Sequence, residues 1–163
     1  MDLPLHQLVV RRVAMEERER RRRLMHRHQY LGFRAIVGES MRSVAALGQQ
    51  WVAPLAWGAA ALKSRHRDGW IGWSEEIKWR RMHLPANKLR FLILPGVGID
   101  NLASRILGAN LRRLSRDRQR RHGHPILVAE TFVDRARLAG TCYRAAGWIA
   151  LGATRRLARR ASG

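Results

Sequence analysis

The sequence predicts an α/β protein built on a twisted mixed sheet flanked by helices, and three observations carry that prediction. The first is a pair of apolar runs, Phe91-Leu92-Ile93-Leu94 and Ile126-Leu127-Val128-Ala129-Glu130-Thr131-Phe132-Val133. Runs this uniformly apolar read as strands covered on both faces, as in a parallel pair. The second is the helical pattern between them, where Leu102, Ala103, Ile106, Leu107, Leu111 and Leu114 recur at three- and four-residue spacing with arginines on the other side. The third is a hairpin pattern upstream, over residues 38–62. Pro95-Gly96 stops the first run, and His122-Gly123-His124-Pro125 closes the helix, because glycine ends a helix and proline cannot continue one. Strand, helix and strand then form a right-handed crossover joining parallel neighbours.

The chain reads as a single domain, residues 1–163. Residues 1–27 are a leader and a charged helix in which Val9, Val13, Leu24 and Met25 supply a thin apolar stripe. Glu16/Arg20, Glu17/Arg21 and Glu19/Arg23 stand at i,i+4 in the favourable order, each worth about 0.3–0.5 kcal/mol. Those glutamates would repel phosphate, so the segment is expected to be a solvated helix face. None of it is assigned to a strand, so whether the sheet has its first strand is left open. In the hairpin, Met41 to Leu47 turns at Gly48-Gln49-Gln50 and returns through Trp51 to Trp57, and Pro54 calls for an edge or a bulge. The alanines and glycine from Trp57 to Ala61 imply close backbone packing, with a helix as the competing reading.

Residues 63–88 read as a connector. Arg65-His66-Arg67-Asp68-Gly69 is expected to be a polar turn and Trp70-Ile71-Gly72-Trp73 a packed aromatic cluster. Ser74 then caps a short helix whose first turn carries Glu75 and Glu76, where the macrodipole favours acids. Trp70, Trp73 and Trp79 beside Arg67, Arg80 and Arg81 could stack bases, although packing is the expectation for such tryptophans. Asp68 is expected to pair with Arg65 or Arg67. Residues 89–154 form the strand-helix-strand-helix core, and residues 155–163 a basic tail.

Charge is the extreme feature: 32 Lys and Arg against 12 Asp and Glu give +20, and only Lys63, Lys78 and Lys88 are lysine. Arginine preference follows a GC-rich genome, but the imbalance does not, so a polyanion partner, DNA or RNA, is expected. The single cysteine, Cys142, excludes an internal disulfide and fits a reducing cytosol. No apolar run reaches the roughly 18 residues of a membrane helix, so a cytoplasmic location and no membrane partner are expected. The basic surface is assigned to Arg105, Arg112, Arg116 and Arg120, with Arg113 and Arg121 beside them, and to Arg155, Arg156, Arg159 and Arg160 in the tail.

The core segment resembles the second half of the GNAT acyltransferase fold: Ala139, Tyr143, Gly147 and Trp148 stand where that fold has Ala-x-x-x-Tyr-x-x-x-Gly-Phe. Longer strings are Arg90-Phe-Leu-Ile-Leu-Pro95, Asn101-Leu-Ala-Ser104, Glu130-Thr-Phe-Val-Asp134 and Gly140-Thr-Cys-Tyr-Arg-Ala-Ala146, with His28-Gln-Tyr-Leu-Gly32, Arg67-Asp68 and Ile71-Gly-Trp73 upstream. Together they resemble the DruA family of the Druantia anti-phage systems. The pattern departs from that family at Gly147, where Asn is usual, and after Thr154. The resemblance implies a component of a prokaryotic defence or mobile-element system, with other proteins of that system as partners.

The GNAT resemblance implies an acyl-CoA site at the turn before the long helix, on Gly96, Gly98, Asn101 and Ala103, with Tyr143 as the acid. No carboxylate lies in Phe91 to Leu94, so Glu130 is the substitute base; as a strand-end residue it would instead pair with an arginine. Asp100 brings a negative charge to the turn and is expected to cap the helix itself. His26/His28 and His122/His124 lack nearby cysteine, so no metal is expected. A three-carboxylate centre on Asp68, Glu130 and Asp134 has no distinguishing spacing. The favoured reading is therefore a nucleic-acid-associating, non-catalytic module with no cofactor. The alternatives are an acyl-CoA-dependent N-acyltransferase, using acetyl-CoA or another acyl-CoA, and a transposase accessory domain.

Overall fold

The computed structural model describes residues 5–28, 36, 38–134 and 140–154. Its framework is one five-stranded sheet in the order β1-β2-β3-β4-β5: β1 Leu8–Arg12, β2 Met41–Leu47, β3 Gln50–Ala59, β4 Pro85–Phe91 and β5 Val128–Thr131. The first three pairings are antiparallel, and β4 with β5 is parallel, Pro85 opposite Val128 and Lys88 opposite Thr131. The mixed sheet flanked by helices is the architecture the sequence predicts.

A parallel pair cannot be joined by a tight turn, and here the connection is the helix α4, Leu102–His122. Its buried residues are Leu102, Ile106, Leu107, Asn110, Leu114, Asp117 and Arg118. Leu102 and Ile106 pack with Val10, Ala45, Leu47, Val52 and Leu55, while Leu114 packs with Met41, Trp57, Ala86 and Ile126. Gly123 ends the helix at φ +79°, donating to the Gln119 carbonyl at 3.0 Å, a left-handed cap that glycine takes without Cβ strain.

The other face carries α1, Arg18–His28, where Leu24 packs against Val44, Ala46 and Trp51. Between β3 and β4 lie α2, Arg65–Ile71, and α3, Glu75–Arg81. Ser74 caps α3 by accepting from the Ile77 N–H at 3.3 Å, with Glu75 and Glu76 in the first turn as expected. The hairpin turn is Gly48-Gln49, with Leu47 opposite Gln50 and Gly48 at φ +57°. The C-terminal helix α5, Thr141–Ala145, is followed by Gly147 at φ +83°.

Several expectations are corrected. Residues 8–12, read as leader, form β1, because Leu8, Val9 and Val10 find Leu47, Ala46 and Ala45 beside them. β4 begins at Pro85, so the connector ends at residue 84; residues 92–94 leave β4 but still follow β3, Leu92 N–H to Pro54 O at 3.3 Å and Leu94 N–H to Val52 O at 2.9 Å. β5 is half-buried throughout and Leu127 and Phe132 beside it are exposed, because it is an edge strand. β3 is central, not an edge, and Pro54 sits close to a register shift at Ala45/Ala46. Residues 57–59 continue β3 and are not helical. The polar turn at Arg65 is helical, with the Asp68 backbone N–H donating to the Ser64 carbonyl at 2.9 Å, and it closes at Gly72, φ +74°.

Candidate nucleic-acid interface

Arg105, Arg112, Arg116 and Arg120 are all exposed. At ~100° per residue they occupy an arc of roughly 80° on α4, and at ~1.5 Å rise they span roughly 22 Å. The centre of that arc lies roughly 120° around the helix from the centre of the buried seam, and none of the four forms an ion pair with a described residue. Arg121 is exposed as well but lies outside this row. Arg113, assigned to the same surface, is turned inward: its guanidinium pairs with buried Asp117 at 2.6 Å and donates to the Val10 carbonyl, tying α4 to β1. Its neighbour in kind is Arg118, 2% exposed and bridged to Glu39 at 3.1 Å. Glu39 also meets the His124 Nε2 at 2.7 Å; burial works against its charge, but the His124 bond and the Arg118 charge outweigh it and hold its carboxyl below the usual range.

Arg155, Arg156, Arg159 and Arg160 lie outside the described residues, as do most of His28-Gln-Tyr-Leu-Gly32 and Ala139. Residues 148–154 form no strand. The chain runs against α2 there, with His66 Nε2 and the Ala153 carbonyl 3.1 Å apart.

In the turn before α4, Gly96 has φ +84° and Asn101 has φ +59°, the only non-glycine in the left-handed region among the described residues. Asn tolerates that conformation, which is why the turn shape survives without glycine there. The N-cap position belongs to Asn101, not Asp100, and Asn101 makes no side-chain cap bond; Ser104 Oγ instead donates to its carbonyl at 3.0 Å. Asp100, Gly96 and Gly98 are exposed, while Ala103 is half-buried on the first turn.

Tyr143 is buried on the α4 side of the sheet, its ring edge-on to Trp148 at 5.4 Å, and Trp148 stacks on Trp57 at 6.3 Å. The Lys88 Nζ sits 5.0 Å from the Tyr143 ring and 5.3 Å from that of Phe91. Burial, only partly opposed by Cys142, pulls this ammonium down to about 8. Glu130 is elsewhere. It pairs laterally with Asn87, the residue before Lys88, and successive strand residues face opposite sides. On that other side Arg67, 2% exposed, donates to both Glu130 carboxylate oxygens at 3.0 Å, and the Ala61 N–H donates to Oε1 at 3.0 Å. The structure therefore does not bring Tyr143 and Glu130 together, and Glu130 has the arginine partner that was its structural alternative.

Arg67 and Asp68 form one buried network. Asp68 accepts from Arg67 at 3.0 Å, from Trp73 Nε1 at 3.1 Å and from Lys78 at 2.9 Å. Burial opposes its charge, but these bonds prevail and hold its carboxyl below the usual range. Trp73 is thus anchored, whereas Trp70 and Trp79 are 57% and 62% exposed, contrary to the packed cluster expected. The i,i+4 pairs of α1 do not form: the helix starts at Arg18, Glu17 reaches back to Arg11 at 2.7 Å, and Glu19 pairs with Arg22 at 2.7 Å. Lys88 and the Glu39–His124 contact had no signal in the sequence, since both depend on partners far along the chain.

A protein-family model described as Druantia protein DruA matches residues 5–159. None of the curated proteins matches the chain.

Proposed function

Because the chain belongs to the DruA family, we propose that it works as the nucleic-acid-associating component of a Druantia anti-phage defence system, through the outer face of α4. The observation that supports this reading is the row Arg105, Arg112, Arg116 and Arg120, exposed on a 21-residue helix and without an ion pair to any described residue. Guanidinium forks at this spacing suit successive phosphate oxygens. Like charges three and four residues apart destabilise a helix left alone, and a phosphate backbone relieves that repulsion. The tail arginines would add to the same electrostatic attraction, and the remaining partners are other proteins of the defence system. The buried setting of Tyr143 and the ion-paired state of Glu130 favour a non-catalytic module over acyl-CoA-dependent transfer.

The test is a fluorescence anisotropy titration of duplex DNA and of RNA with the parent and with the triple variant Arg112→Gln/Arg116→Gln/Arg120→Gln. At 50 mM salt the triple is expected to lose on the order of a hundredfold or more in affinity for both. Parent-like affinity in a folded triple would remove α4 as the interface. Acetyl-CoA is expected to leave the melting temperature unchanged, whereas a true ligand at a hundred times its Kd would add about 2.7 kcal/mol.

A further inference from the structure

On the face of the sheet opposite α4, the strand register sets two arginines on either side of one residue, and α1 supplies a third. Arg42 of β2 and Arg90 of β4 are both lateral partners of Ala56 on β3, so their side chains leave the same face. That arrangement depends on a bulge. Trp57 pairs with Lys88, and Ala56 pairs with Arg90, so Leu89 is an extra residue on β4. Without it Lys88 and Arg90, two apart, would share a face; with it Lys88 turns to α4 and Arg90 to α1. α1 packs on this face through Leu24, and its Arg21 is 4% exposed and close enough to feel the charges of Arg42 and Arg90.

Every acidic residue except Asp2 lies among the described residues, and none forms an ion pair with Arg21 or Arg42. The Nε atoms of both Arg21 and Arg42 are buried without a hydrogen-bond partner among the described residues. Burial first, then the charges of Arg42 and Arg90, lower the Arg21 guanidinium to about 10. Buried cations are ordinarily paired, and the missing counter-charge here is an anion that several forks can share. Arg42 and Arg90 are only half-buried, so the cluster can be reached from solvent.

We propose that Arg21, Arg42 and Arg90 form a binding site for one phosphate group, carried by a nucleotide or by the end of a nucleic-acid strand. Tetrahedral phosphate offers enough acceptor oxygens for three guanidinium groups, and its dianion answers the charges of Arg21 and Arg42. The site is on the opposite face from the α4 row and stands independently of it.

Thermal melting in inorganic phosphate against chloride at matched ionic strength tests the proposal. The parent is expected to melt roughly 5 °C higher in saturating phosphate. Arg21→Met should abolish that rise and, without phosphate, melt above the parent, since it removes an unpaired buried charge. Arg42→Gln should weaken phosphate binding at least tenfold, and it decides the matter if the Arg21 variant fails to fold. The α4 triple variant should keep the full rise. Competition by a nucleoside 5′-monophosphate, and by an oligonucleotide with a 5′-phosphate but not a 5′-hydroxyl, assigns the source: monophosphate alone points to a nucleotide, both to a strand end. A parent indifferent to phosphate, or Arg21 and Arg42 variants that retain the rise, would overturn the site.

Discussion

At the scale of single residues, two positions show how a local rule can be met by an unexpected side chain. Asn101 takes the left-handed turn before α4, and Gly147, where the DruA resemblance implies Asn, has φ +83°. Both residue types accept that conformation, so neither position implies a change of backbone. Lys88 is the opposite case: one of three lysines, it lies 7% exposed between two aromatic rings, and no sequence period announces it. Its folded value of about 8 lies below the ordinary 10.5. Between those values the unfolded chain holds more protons than the folded one, so stability rises with pH from about 8 to 10.5. Lys88→Met is therefore expected to be more stable at pH 7, by up to about 3 kcal/mol. Urea denaturation across pH should show that advantage shrinking from pH 8 to pH 10.5. A constant advantage, or a destabilised variant, would mean that the ammonium is well stabilised where it sits.

Elements were legible where their signals were local. The period of α4, the Ser74 cap of α3 and the turn at Gly48 follow from residues close in sequence, and the structure has all three, with Gln50 already in β3. What escaped were elements defined by distant partners. β1 is a short strand inside a charged segment, and only its pairing with β2 makes it one. Glu17 was matched to Arg21 on helical spacing, yet a 3-10 turn at Met15–Glu17 sends it back to Arg11, leaving Arg21 to face the sheet alone. The junction of α2 with β5 is likewise long-range, resting on Arg67 and Glu130, 63 residues apart. Arg67→Met leaves a buried carboxylate unpaired and should cost about 3–5 kcal/mol. Adding Glu130→Gln should recover part of that loss, giving a coupling energy of about 1–3 kcal/mol in a double-mutant cycle. Additive losses would show that the pair is not a working link.

For the whole molecule, the charge imbalance was plain from composition, but its distribution was not. Of the arginines assigned to one basic surface, Arg113 is consumed in holding α4 to β1, and the row that faces solvent is Arg105, Arg112, Arg116 and Arg120. A second concentration surrounds Arg21, which is buried on the α1 side of the sheet beside the half-buried Arg42 and Arg90. Among the described residues no helix is long and apolar enough to cross a membrane. A domain carrying +20 attracts polyanions whatever its task, so binding alone would not distinguish an organised surface from a diffuse one.

The salt dependence of binding does distinguish them. Each phosphate neutralised contributes about −0.9 to the slope of log affinity against log salt on duplex DNA. If α4 and the tail together meet about six phosphates, the parent slope is near −5 and affinity falls roughly a thousandfold between 50 and 200 mM salt. Replacing Arg112, Arg116 and Arg120 with glutamine should flatten the slope by up to about three, while Tyr143→Phe leaves it unchanged. A folded triple variant with the parent's slope would show that these arginines make no ordered contact with phosphate, and would contradict the assignment of α4 as the nucleic-acid face.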